Sequence, residues 1–340
     1  MVWCWGMRPW IAATALLAGA CAHSPSAPQP VPTPTPNPVE RFPVAGVVFY
    51  DENANGVIDD RERVRLPGVS VAIGDRAARS DAEGRFLIAD AAEGSATASA
   101  EVESLPPFFT SGPVAALAVP PPPGFLLAYP VGLPIERMRP NLYMAFGDSI
   151  TVGDGSRDGD GYRGELEAVL RGYWGAGSVA NEGVASTRSD QGADRIGASL
   201  TRVRPAYTVI HYGTNDWNSY SCRWVPSCHT VSSVRSMIGS ARSVGSVPVV
   251  GTLIPVNPAY TDRMAYERNV WVVETNERIR AMVKEEGAIL ADLHAGFMAR
   301  GGSNLETLFV DHVHPNDDGY EVMATEFFRA ITSPRGSASR

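Results

Sequence analysis

Leu142-Tyr143-Met144-Ala145-Phe146-Gly147-Asp148-Ser149-Ile150-Thr151 is an apolar run that stops at a glycine, an acid and a serine. A short continuous apolar segment bounded by turn residues reads as a buried strand, and the cluster behind it leaves Ser149 just beyond the strand's carboxyl end. Taken alone, Gly-Asp-Ser is also what an ordinary turn or helix cap looks like. Its meaning depends on the remainder of the chain.

Downstream, strand-like runs at 142–146, 178–180, 207–212, 247–253 and 288–293 alternate with helix-like periods at 162–173, 191–203, 231–244, 266–286 and 317–330. That order predicts an open parallel α/β sheet with helices on both faces, whose reactive residues gather at the carboxyl ends of its strands. Three further polar blocks fall at such ends. Asn181-Glu182-Gly183 follows the second strand, Gly213-Thr214-Asn215-Asp216 the third, and Asp311-His312-Val313-His314-Pro315 the fifth.

Upstream, residues 44–100 hold short β-like runs, Gly46-Val47-Val48-Phe49-Tyr50, Val69-Ser70-Val71-Ala72-Ile73 and Arg85-Phe86-Leu87-Ile88, separated by Pro67-Gly68 and Glu83-Gly84. A smaller, sandwich-like all-β domain is expected there. Inside it the twelve-residue stretch 51–62 meets the EF-hand loop pattern at every specified position. Asp51, Asn53, Asn55, Asp59 and Glu62 supply oxygens, Val57 a backbone carbonyl, and Gly56 the sharp turn. Its flanks are strand-like, so calcium is expected to be structural here; a metal-free Asx-rich turn is the other reading. Residues 101–140 are Pro-rich, with Pro120-Pro121-Pro122-Pro123-Gly124 in sequence, and read as a junction able to add an edge strand. The α/β domain is expected over 141–332 and a tail over 333–340.

The 340 residues, 44% hydrophobic and 19% charged, can bury a core for about two domains. A net charge of -8 without a long Lys/Arg run argues against nucleic acid or a polybasic membrane patch as partner. Residues 1–20 read as a lipoprotein-type signal peptide: Arg8 closes the basic region, and the apolar run at 10–17 is too short to span a bilayer. Leu17-Ala18-Gly19-Ala20-Cys21 resembles the bacterial lipobox, with its leucine one place further back than usual. The resemblance implies lipidation of Cys21 and a membrane contact made only through that anchor. Ala22, where an Asp would favour inner-membrane retention, points to the outer membrane or cell surface. An ordinary cleavable signal is the alternative. Residues 21–43 form a Pro-rich tether. With Cys4 in the signal and Cys21 lipidated, Cys222 and Cys228 remain, and in an oxidising compartment they are expected to pair.

The four polar blocks, in this order, resemble those of the SGNH hydrolase superfamily, the GDSL-type esterases and lipases, over roughly 141–330; Ile150 stands where the family name has Leu. The resemblance implies a flavodoxin-like open parallel sheet and carboxylic ester hydrolysis that needs no cofactor. Chemistry assigns the roles. A serine hydroxyl is a weak nucleophile until a base takes its proton, so Ser149 needs His314, and Asp311 holds the imidazole's tautomer and charge. The family pattern implies oxyanion donors from the backbone N–H groups of Ser149 and Gly183 and the side-chain amide of Asn215. His211 and His312 read as packed or rim residues, and Asp154, Asp158 and Asp160 as a solvated rim, with cation or sugar binding as the alternative. The β-module resembles the calcium-binding B-type repeats of Gram-positive adhesins.

Gly161-Tyr162-Arg163 resembles the segment that opens the first helix in SGNH carbohydrate esterases, which points to an acetylated sugar or polysaccharide as substrate. Trp217, Tyr220 and Trp224 in the 216–228 loop are either sugar-stacking faces or a rim packed on its own domain. A lipase or lysophospholipase for longer acyl chains is the second reading, and a non-catalytic surface binding protein the third.

Overall fold

In the computed structural model the strand that carries Gly-Asp-Ser, Arg139–Gly147, lies inside a five-stranded sheet, and its side chains alternate between two separate cores. Tyr143 and Ala145 face one core and Met144 and Phe146 the other, all at 1% exposure or less. Burial on both faces is why this strand reads as a continuous apolar run instead of an alternating one. The structure describes residues 38–112 and 116–337. The signal peptide over 1–20, the lipid site Cys21 and most of the tether lie outside the described residues.

The sheet order is Ser178–Gly183, Arg139–Gly147, Pro205–His211, Val247–Gly251, Ile289–Ala291, and every pairing is parallel. This is the flavodoxin-like 2-1-3-4-5 order, in which the chain reverses direction beside the first strand and opens a crevice at the carboxyl ends. Helices α1 (Ser149–Val152), α2 (Tyr162–Trp174), α3 (Ser189–Val203), α4 (Tyr220–Arg223), α5 (Thr230–Ser243), α6 (Ala265–Glu286), α7 (Leu293–Gly301) and α8 (Asp317–Thr332) follow in sequence. Helices α2, α7 and α8 cover one face; α3, α5 and α6 cover the other. The strands fall within about three residues of the expected ranges and the long helices within about two. The expected strand at 288–293 is shorter because Asp292 caps α7, accepting the Ala295 N–H at 3.2 Å.

The N-terminal region is all β, with a four-stranded sheet ordered Arg85–Ala92, Arg41–Tyr50, Leu127–Gly132, Thr110–Ser111. Leu127–Gly132 comes from the segment expected to be a junction. It is an inner strand, parallel to Arg41–Tyr50. Its Tyr129 and Val131 are buried, so these apolar residues among prolines are core and not linker. A three-stranded sheet (Arg76–Arg79, Ser70–Ile73, Ala98–Ala100) and a two-stranded one (Gly94–Ala96, Leu117–Val119) complete the layer. Among the described residues no helix is long and apolar enough to cross a membrane.

From Val39 onward the described chain forms one compact unit. Its β-layer core runs directly into the α2/α8 core: Tyr50 meets Phe109 edge-on with ring centroids 5.3 Å apart, and Phe109 meets Trp174 at 5.8 Å. The Asn141 amide also donates to Glu52 Oε1 at 2.5 Å. Asn141 sits near the amino end of the strand whose carboxyl end carries Ser149, so the 51–62 loop and Ser149 occupy opposite ends of the sheet.

Candidate active site

The candidate nucleophile, Ser149, sits on a turn built from buried contacts. Asp148 is fully buried, and its Oδ1 accepts the Ile150 N–H at 3.0 Å, capping the single turn α1. A Cβ at Gly147 would stand 2.1 Å from Thr151 Oγ1 and 2.4 Å from the His211 carbonyl oxygen, so a side chain there would displace the turn. Arg163 donates to the carbonyls of Thr151, Val152 and Gly159, and the Tyr162 hydroxyl bonds Thr151 Oγ1 at 3.2 Å. The Gly-Tyr-Arg segment thus braces the turn that carries Ser149.

On the opposing loop, His314 Nε2 lies 3.0 Å from Ser149 Oγ, and His314 Nδ1 lies 2.7 Å from Asp311 Oδ2. An ionised carboxylate only accepts, so it requires the proton on Nδ1 and leaves Nε2 free to accept from the serine. Asp311 Oδ1 takes the N–H groups of Val313 and His314 at 2.8 and 2.7 Å. Burial pushes the Asp311 carboxyl up, but the bonds from the His314 ring and the two backbone N–H groups outweigh it and hold the group below its usual range. Asn257, beyond strand Val247–Gly251, holds this loop: its N–H donates to the His312 carbonyl at 3.1 Å and its amide to the Asp311 carbonyl at 3.0 Å. Nothing in the sequence pattern singled out Asn257, because its partners are backbone atoms more than fifty residues away.

Asn215 reaches the same corner, its amide donating to the Thr187 carbonyl at 3.1 Å and to Asp148 Oδ2 at 3.5 Å. Gly183 carries a packing constraint as well. Its N–H is engaged by Asn181 Oδ1 at 2.9 Å, and a Cβ there would lie 2.6 Å from the Val152 nitrogen. This glycine is required for close packing of strand Ser178–Gly183 under α1, and the partner of its N–H is the side chain of an exposed residue. The following turn exposes Ala185 and Ser186 to solvent. Ser186 holds φ at 62°, a left-handed conformation unusual for a residue with a Cβ.

The remaining candidates divide into scaffold and rim. His211 is fully buried with neither ring nitrogen bonded, and burial depresses its pKa to about 4, so it is neutral near pH 7. His312 is half-exposed beside Tyr260, its Nδ1 3.9 Å from Asp311 Oδ1. Asp216 ties α3 to α5 by accepting from the Ser189 N–H, the Ser189 hydroxyl and the Thr230 hydroxyl. Asp158 accepts the Asp160 N–H, Asp160 lies 3.4 Å from Arg163, and the Asp154 carbonyl accepts from the Tyr320 hydroxyl. In the 216–228 loop Trp217 is buried between Trp224 and Trp271, whereas Tyr220 and Trp224 are 83% and 60% exposed. Cys222 and Cys228 form a disulfide that closes this loop.

The 51–62 loop has the donor set of a cation site. Asp51 and Glu62 are buried, and the amides of Asn53 and Asn55 both converge on Asp59 Oδ2, at 2.6 and 3.0 Å. Asp51 accepts the N–H groups of Asn55 and Gly56, and Glu62 those of Glu52 and Asp59. No arginine or lysine pairs with Asp51, Glu52, Asp59 or Glu62 among the described residues. Burial raises the Glu52 carboxyl, and the neighbouring Glu62 charge adds to that rise against the Asn141 hydrogen bond. Clustered acids without cationic partners fit a hard cation.

A parallel sheet with a serine, a histidine and an aspartate joined by hydrogen bonds at its carboxyl edge is the architecture of a serine hydrolase. The model of the GDSL-like lipase/acylhydrolase family matches residues 145–322, slightly more than half of the 340, and the chain belongs to that family of carboxylic ester hydrolases. No curated protein matches. Among solved structures, the chain is similar to a lipolytic protein of the G-D-S-L family from Desulfitobacterium hafniense DCB-2 (20% identity, 56% of this chain and 99% of that one, TM-score 0.46). It is also similar to an acetylxylan esterase from Geobacillus stearothermophilus (19%, 58% and 96%, 0.47) and a lipase/acylhydrolase from Enterococcus faecalis (19%, 56% and 95%, 0.47).

Proposed function

We propose that this esterase works through an acyl-enzyme formed on Ser149. His314 Nε2 takes the hydroxyl proton as Ser149 Oγ attacks the ester carbonyl, and Asp311 stabilises the resulting imidazolium. The oxyanion is held by the Ser149 N–H, the Asn215 amide and the Gly183 N–H, the last two exchanging their present partners, Thr187 and the exposed Asn181 side chain, for the substrate. Collapse returns the proton from His314 to the leaving alcohol. Water then attacks the acyl-serine by the same path in reverse, leaving a carboxylic acid and free Ser149. The observation that carries this reading is the unbroken line from Ser149 Oγ through His314 to Asp311, at 3.0 and 2.7 Å.

The substrate we propose is an acetylated carbohydrate. Two exposed aromatic faces, Tyr220 and Trp224, stand on the loop that starts at Asn215, where sugar rings stack well. The protein is exported, and Cys21 and the Pro-rich tether anchor it to a membrane surface. A calcium ion held by Asp51, Asn53, Asn55, Asp59, Glu62 and the Val57 carbonyl would neutralise the loop's carboxylates and stabilise the β-layer, with no part in hydrolysis. The test is a panel running from p-nitrophenyl acetate to palmitate plus an acetylated xylo-oligosaccharide, with the Ser149→Ala variant alongside. Preference for acetylated sugar, lost in the variant, is expected; preference for palmitate would replace the substrate class, and activity surviving in the variant would remove Ser149.

A further inference from the structure

Arg268, on α6, is 4% exposed, yet no carboxylate oxygen lies within 4.0 Å of its guanidinium among the described residues. Its one hydrogen bond runs from Nη2 to the Thr214 carbonyl oxygen at 2.7 Å. Burying a cation without a mate is costly, so the contact it makes is informative. The Thr214 carbonyl belongs to the planar peptide that carries the Asn215 N–H, so fixing that oxygen fixes the plane from which the Asn215 side chain projects. On its far side Asn215 donates to Thr187 and Asp148, which closes a path from α6 to the nucleophile turn.

The charges follow the same path. Burial lowers the Arg268 pKa to about 10, against the pull of Asp148 and with repulsion from Arg223 added. Burial raises Asp148 to about 7, opposed by the Ile150 N–H, His314 and Arg268 and assisted by Asp216; Tyr162, Tyr212 and Tyr320 also feel its charge.

We propose that Arg268 is a positioning residue for ester hydrolysis: it pins the Thr214–Asn215 peptide so that the Asn215 amide faces the developing oxyanion. This rests on the reading of Ser149 as nucleophile and Asn215 as oxyanion donor.

A double-mutant cycle on p-nitrophenyl acetate tests it, using Arg268→Gln, Asn215→Ala and the pair. Asn215→Ala is expected to lower kcat about a hundred- to a thousand-fold. Arg268→Gln, by misplacing the same amide, should lower kcat about ten- to a hundred-fold with KM changed less than about threefold. Added to Asn215→Ala it should cost less than about twofold more, since its route is already cut. Arg268→Lys, which can still donate to Thr214, should recover part of the loss. Multiplying losses, or a loss confined to KM, would overturn the proposal. Should Arg268→Gln not fold, the cycle runs with Arg268→Lys, whose shorter reach weakens the same contact, and the same non-additivity is required. Ser149→Ala, measured in parallel, separates the two readings: activity there sinks the serine mechanism, whereas multiplying losses with that variant dead sink only the role of Arg268.

Discussion

Two short loops at opposite ends of the sheet use the same local device. At one end Asp51 gathers the N–H groups of Asn55 and Gly56; at the other Asp311 gathers those of Val313 and His314. Both are aspartates folding the chain back onto their own side chains, a turn that local sequence can form by itself. They diverge in what the fold brings to the second oxygen and its neighbours. Around Asp51 the partners come from the same twelve residues, and all are oxygens or amides, so the loop is left with negative charge for a cation. Beside Asp311 stands His314, whose other nitrogen meets a serine 165 positions earlier in the chain. The same turn underlies the proposed ion site in one case and the proposed base in the other, and distance along the sequence makes the difference.

The largest effect should come from cutting that long-range line. Asp311→Asn can keep the turn through its amide oxygen but no longer forces the proton onto Nδ1, and kcat is expected to fall about 10⁴-fold with the fold retained. A loss of tenfold or less would mean that Asp311 works only as the turn-former that Asp51 is.

A second experiment distinguishes the ends by what destabilises each. His211, in the strand behind the catalytic corner, titrates near 6.5 when unfolded but is pressed down to about 4 when folded. Its depressed value means that its stabilisation is complete above pH 6.5 and is lost as pH falls from 6.5 toward 4. Between pH 7 and 5 this group alone should cost about 2 kcal/mol. Asp148, raised from 3.8 to about 7 by burial, works in the opposite sense over its own window. The test is therefore the difference between wild type and His211→Leu in urea unfolding at the two pH values. A pH dependence unchanged by the substitution would mean that His211 is protonated or solvated in the folded state.

The smallest effect is expected at the other end. Chelation should lower the melting temperature by a few degrees, about what 1 kcal/mol produces in a domain of this size, and leave ester hydrolysis at 25 °C untouched. Glu62→Gln should reproduce part of the shift without chelator. Hydrolysis that falls in proportion to cation removal would erase the separation between the loops, and an unchanged melting curve would make 51–62 a metal-free turn.

The sequence itself determined the elements and their order, since five apolar runs alternating with helical periods admit few packings besides a parallel sheet covered on both faces. It also determined both aspartate turns, because their partners lie within a few residues. The position of Leu127–Gly132 was not legible: surrounded by prolines it reads as a junction with at most an edge strand, and only pairing between Arg41–Tyr50 and Thr110–Ser111 makes it an inner strand. The Asn-Glu-Gly block was legible as a glycine but not as a packing glycine, because α1 must be in place before the Val152 nitrogen comes within 2.6 Å of a Cβ. Asn257 and Arg268 were invisible for the same reason. Their ligands are carbonyl oxygens, which every residue has and no motif records, and only the tertiary structure decides which of them a buried side chain meets.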